Sequence, residues 1–255
     1  MGRIMHYLLF DMYDMCLKKC LLLIYLSVAI PQLASAQENT KWTQYADVSF
    51  SAGKSSFSAA GAWSNLYGVG SKQKFSIGYG VRYTFFTGKE QEYITAPAKL
   101  TSGKTGPQVL FIENIEANLD TFRVNKPLLH VLNLAIYLQY QITEQFSLGF
   151  NIDALGISLG SQVNGSFTSG LIASKPTFQL QARPTILNAL LISDNDRGSL
   201  NSELLAKYQF NEHFGIKVGL TFIFTEYTTT SKPILDNDRF RNKALMGLLG
   251  ASYRF

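Results

Sequence analysis

The sequence predicts an all-β fold: an eight-stranded antiparallel up-and-down β-barrel that crosses a membrane. Three observations predict it. After residue 36 no segment keeps a helical period, and apolar residues alternate with small or polar ones instead. The connections between alternating segments are short on one side and mostly long on the other. Charged residues make up only 16% of a chain in which 13% are aromatic, an unusual balance for a surface in water.

Taken in order, residues 1–36 read as a cleaved secretory signal. Lys18 and Lys19 precede the apolar run Cys20 to Ile30, and Ala34-Ser35-Ala36 supplies a small-residue cleavage site. The run is too short for a membrane-spanning helix, which needs about 20 apolar residues. Asp11 and Asp14 suit neither part of such a signal, and a translation start at Met12 or Met15 would remove one or both. Cleavage takes three cations (Arg3, Lys18, Lys19) and two anions from a chain of net charge +5 and leaves +4, too mild for nucleic acid. Both cysteines leave with the signal, so residues 37–255 form one domain held without disulfides.

Eight strands follow, at about 44–52, 55–64, 72–87, 127–142, 146–160, 199–210, 214–229 and 241–255. In Phe75 to Phe85 every odd residue is apolar and every even one small or polar. Phe214, Ile216, Val218, Leu220, Phe222 and Phe224 likewise share one face. Tyr140-Gln141-Ile142-Thr143-Glu144-Gln145-Phe146 is echoed by Tyr208-Gln209-Phe210-Asn211-Glu212-His213-Phe214, each a strand, a tight turn and a strand. The long connections, 88–126 and 161–198, carry apolar pieces (Val109 to Ile112, Ile186-Leu187, Leu190 to Ile192) that suggest extra β-structure more than loose tails. An even strand count leaves both termini on the short-turn side. Alternation alone also fits a soluble lipocalin-like binder with the faces inverted. The membrane reading is favoured by strands longer than the 9–11 residues a bilayer needs and by a polar face of Gly, Ser, Asn and Thr. Aromatics also gather at the short-turn ends (Trp63, Tyr140, Phe146, Tyr208, Phe210, Phe214, Tyr253 and Phe255).

The ending Leu248-Leu249-Gly250-Ala251-Ser252-Tyr253-Arg254-Phe255 resembles the terminal strand of bacterial outer-membrane β-barrel proteins. Strand number and length are similar to the OmpA/OmpX-type small barrels, and the 88–126 connection resembles that of an uncharacterised outer-membrane family. The resemblance implies that Tyr253 and Phe255 are an assembly signal read by the barrel-assembly machinery. It also implies surroundings of outer-membrane lipid and lipopolysaccharide. It implies no activity.

With the apolar faces toward lipid, Asp47, Lys74, Arg82, Asp153, Glu203, Lys207, Lys217 and Arg254 point inward. An eight-stranded lumen is just filled by side chains, so these charges should pair. A narrow solute or proton path along them is the functional alternative. Of the two mature histidines, His213 falls in a turn. His130 shares the lipid face of Leu132 and Leu134, away from any lumenal Ser or Asp. Ser102-Gly103-Lys104-Thr105 lacks the first glycine of a phosphate loop, since that position is Ala98. The sequence Asp-Asn-Asp-Arg occurs twice, and Asp194, Asp196, Asp236 and Asp238 are weak candidates for a divalent-cation site without full calcium-loop spacing. The expectation is therefore a non-enzymatic outer-membrane barrel, without cofactor, that stabilises the envelope or presents its long connections to an extracellular partner. The rivals are a lipid-modifying enzyme built on His130 and a narrow channel.

Overall fold

The computed structural model describes residues 41–104, 115–170, 172, 174, 176–191, 196–234 and 236–255. The secretory signal at 1–36, the apolar piece at 109–112 and Asp194 fall outside the described residues. The strands in chain order are β1 Trp42–Ala52, β2 Ser56–Val69, β3 Phe75–Gly88, β4 Gln91–Thr95 and β5 Thr121–Val124. They continue as β6 Leu128–Gln141, β7 Phe146–Leu159, β8 Val163–Thr168, β9 Thr177–Pro184 and β10 Leu187–Ala189. The last three are β11 Leu200–Gln209, β12 Phe214–Thr229 and β13 Arg239–Arg254.

Among the described residues thirteen strands belong to one antiparallel sheet, where the sequence reading expects eight. The antiparallel pairings close a ring that runs β1, β2, β3, β6, β7, β11, β12, β13 and back to β1. The other five strands lie inside 88–126 and 161–198. Their alternation lasts three to eight residues, too few for the pattern to stand out from a loop. Four of them close a second circuit. The upper end of β13 pairs with β4, β4 with β5, β5 with β8, β8 with β9, and β9 with the upper end of β12. A small β-cap thus stands on the long-connection end of the ring and shares two of its strands. Among the described residues neither ring leaves a long free edge, which removes the usual hazard of an exposed strand.

The period-two pattern places the side chains as read. On β12, Val218 and Leu220 are about half exposed while Lys217 and Thr221 are buried. At β6 and β7 the register shifts by one residue between Leu134 and Ala135. That bulge reverses the parity of β7: Leu148 and Phe150 face outward below it, and Leu155, Ile157 and Leu159 above it. The two echoed turns use the matched position in the same way. Phe146 N–H donates to Thr143 Oγ1 (3.0 Å), and Phe214 N–H donates to Asn211 Oδ1 (2.8 Å). Among the described residues no helix is long and apolar enough to cross a membrane.

Candidate functional site

The residues of interest line the inside of the ring, because the inward parity of each strand carries the polar set. At mid-height Arg82 of β3 reaches across to β7 and β11. Its Nε and Nη2 donate to Asp153 Oδ1 (3.0 and 2.5 Å), its Nη1 to Asn151 Oδ1 (2.5 Å), and its Nη2 to the Asn201 carbonyl (2.6 Å). Glu203 Oε1 lies 3.3 Å from Nη1. Asp153 also accepts from Asn133 Nδ2 (2.7 Å) and from Asn201 N–H (2.9 Å). One layer toward the short turns, Asp47 stands between Lys207 (3.7 Å) and Lys217 (3.5 Å), and Lys217 also faces Glu203 at 3.9 Å. The Lys207 ammonium sits 3.8 Å above the Tyr45 ring, a favourable place for a desolvated cation.

Six predicted lumenal charges (Asp47, Arg82, Asp153, Glu203, Lys207, Lys217) are therefore buried and brought together, three acids against three bases. Two are not. Lys74 is exposed just before β3 begins and contributes its carbonyl to Gln141 N–H, because the strand starts three residues later than the reading placed it. Arg254 is half-buried at the short-turn mouth and donates to the Glu212 carbonyl at 2.7 Å. A cavity of about 20 Å³ between Tyr45, Asp47, Tyr137 and Lys207 is no larger than one water needs.

Above the charges, the long-connection end is filled by an apolar core. Phe86, Leu129, Ile223, Tyr227, Phe240 and Met246 from the ring meet Tyr93, Phe122 and Phe167 from the cap. The Phe122–Phe240 and Phe167–Phe240 rings lie 5.7 and 5.9 Å apart. Burial pushes the Tyr93 hydroxyl well above the ordinary phenol range, with Tyr227 adding to the shift, so this plug carries no charge. Tyr93 accepts a hydrogen bond from Thr225 Oγ1 at 3.1 Å.

A second ionic group escaped the sequence reading. Glu226 of β12 lies opposite Arg241 of β13 and takes bonds from Arg239 Nε (2.8 Å) and Arg241 Nη2 (2.8 Å). Both arginines also donate to the Asp196 carbonyl. Glu226 has the outward parity of Val218 and Phe222, yet it is fully buried, with Thr185 N–H donating to its carbonyl and its own N–H donating to Ser199 Oγ. The visible signal was the cross-strand charge complementarity, which needs the β12–β13 register to be read.

The remaining candidates separate. His130 Nδ1 hydrogen-bonds the Tyr83 hydroxyl (2.6 Å), and its ring packs beside Phe85 on the outer face. His213 sits in its turn, hydrogen-bonded to the Arg254 carbonyl and stacked on Tyr253. Asp196 is buried and accepts from Leu191 N–H, whereas Asp236 is exposed and pairs with Lys232 (3.0 Å). The Asp238 carbonyl accepts from Thr229 N–H at 2.8 Å. Among the described residues no three His, Cys, Asp or Glu side chains gather as a metal would require. Tyr253 lies near the end of β13 and Phe255 just beyond it. Their rings touch at 5.0 Å and Tyr253 meets Phe214 at 5.1 Å, while Phe255 N–H donates to the Gln44 carbonyl.

No family model matches the chain, and no curated protein does. Solved structures to which it is similar include the Neisserial surface protein A, at 10% identity and a TM-score of 0.34, over 86% of this chain and 98% of that one. Another is the Yersinia pestis outer membrane protein Ail in a phospholipid bilayer nanodisc, at 11% identity and a TM-score of 0.33, over 85% and 100%. A Pseudomonas aeruginosa FadL homologue is matched at 10% identity and a TM-score of 0.21, over 78% and 67%.

Proposed function

We propose that the chain is an integral, non-enzymatic β-barrel protein of the outer membrane of a Gram-negative cell. In this reading the long-connection end is outside the cell and the short turns face the periplasm. The lumen is sealed, and the β-cap is a rigid platform for an extracellular partner. The observation that carries the reading is the inversion of the usual soluble pattern. Leu204, Leu245 and Leu249 stand outward at 60–63% exposure, while three acids and three bases are buried inside. A continuous apolar band of this kind around a protein is costly in water and favourable in hydrocarbon. The aromatic pairs at the short-turn end (Trp42–Tyr67 at 5.0 Å, Tyr208–Phe210 at 5.6 Å) suit an interfacial girdle. Tyr253 and Phe255 fit the role of an assembly signal, since they close the seam with β1.

The packed charges and the uncharged plug favour structural use of the lumen over transport. Purified protein in planar bilayers should give no discrete conductance steps. Steps that respond to Arg82→Ala would overturn the sealed-lumen reading.

A further inference from the structure

A groove of about 540 Å³ opens on the flank of the ring, where the segment at 185–187 bridges from the end of β9 to β10 beside the upper ends of β7 and β12. Its lining divides by chemistry. Leu159, Ile186 and Leu187 are 57%, 68% and 48% exposed, and Leu159 continues the outward stripe of Leu155 and Ile157. Arg183 and Arg197 also line it, and both are exposed. We infer that this groove binds the phosphate-bearing headgroup of a lipid in the leaflet on the cap side, with its acyl chain lying along Leu159, Ile157 and Leu155. The inference rests on the membrane reading above and adds a ligand and a site to it.

Charge complementarity selects the occupant. Among the described residues no carboxylate is recorded within ion-pair range of either guanidinium. Glu226, a buried acid of this flank, is already taken by Arg239 and Arg241. Among the described residues Arg183 uses its Nε alone, donating to Gln162 Oε1 at 3.1 Å, and keeps its terminal N–H groups for a ligand. Two guanidinium forks above an apolar wall suit a phosphate oxygen set far better than a neutral headgroup. The wall is held in place rather than loose. Ser158 N–H donates to the Ile186 carbonyl (2.8 Å), Thr185 N–H to the Glu226 carbonyl (2.9 Å), and the Thr185 and Thr228 hydroxyls bond at 2.8 Å.

The test uses residues 37–255 refolded in detergent micelles and followed by native mass spectrometry with phosphatidic acid, with diacylglycerol of the same chains, and with inorganic phosphate. One phosphatidic acid should be retained, and Arg183→Gln/Arg197→Gln should weaken it by about tenfold or more. The double Arg→Lys variant should fall between. Ile186→Ser should weaken phosphatidic acid with both arginines in place, which keeps the test alive if the double variant misfolds. Equal retention by the double Gln variant, equal retention of diacylglycerol, or displacement by millimolar phosphate would each overturn the proposal. A wild-type chain that folds but does not enter lipid vesicles would instead refute the membrane reading beneath it.

Discussion

Replacing Arg82 by Met removes the cation that joins three strands across the lumen. The structure allows its cost to be worked out. The side chain is fully buried and serves Asp153, Asn151, Glu203 and the Asn201 carbonyl at once. Without it Asp47 and Glu203 keep Lys207 and Lys217 as partners, while Asp153 loses its ion pair. Breaking a buried pair from one side costs about 3–5 kcal/mol. With a urea slope of about 2 kcal/mol per molar, the unfolding midpoint should drop by about 1.5–2.5 M. Arg82→Met/Asp153→Leu restores two acids against two bases. It should recover much of that loss, with a coupling of about 2 kcal/mol. The assay is urea titration in lipid vesicles, read by the fluorescence of Trp42 and Trp63, the two tryptophans of the chain. A single variant within about 1 kcal/mol of wild type, or strictly additive effects, would refute the claim that the charges act as one network.

Three further outcomes follow from the packing. Phe240→Ala empties the shared core of ring and cap, and should cost about 3–5 kcal/mol. Hydrogen exchange should then quicken in β4, β5, β8 and β9 while β1 and β2 stay protected. A Cβ at Gly156 would lie 2.0 Å from Asn133 Oδ1 and 2.2 Å from the Leu132 carbonyl, whereas one at Gly61 meets nothing within 4 Å. Gly156→Ala should therefore reduce the folded fraction seen on unboiled gels, and Gly61→Ala should not. Phe255→Ser removes the last aromatic of the seam. It should leave refolding in vitro nearly unchanged but lower the amount assembled in cells, measured by fractionation.

The ring was legible because strands such as β3 and β12 alternate for ten residues or more, enough to reveal a face. The first hairpin, blurred by Ala59, Ala60, Gly61 and Ala62, still pairs through eleven positions, so that β2 runs on to Val69. The parity change in β7 stood in the sequence as Leu148 and Phe150 followed by Leu155, Ile157 and Leu159. It reads as noise until a bulge is allowed. Extra β-structure was expected in the long connections, but the individual cap strands were not legible, since strands such as Gln91–Thr95 and Thr121–Val124 acquire their meaning only from partners far along the chain. Parity placed eight charges inward, of which six meet inside the ring, while Lys74 precedes its strand and Arg254 sits at the short-turn mouth. Glu226 was hidden by the same rule, for it has the parity of a lipid-facing residue and yet is buried. The aspartates of the repeated Asp-Asn-Asp-Arg diverge because a local repeat does not fix tertiary surroundings. Asp196 is buried and accepts from Leu191 N–H, while Asp236 is exposed and pairs with Lys232.

The direction of the outward face is tested most directly by single cysteines, since residues 37–255 contain none. Leu249→Cys and Leu204→Cys place a label on the exposed apolar face. In vesicles containing brominated lipid, a fluorophore at either position should be strongly quenched and shielded from aqueous iodide. Strong iodide quenching with no effect of brominated lipid would mean that this face meets water, and the membrane-spanning reading would fall.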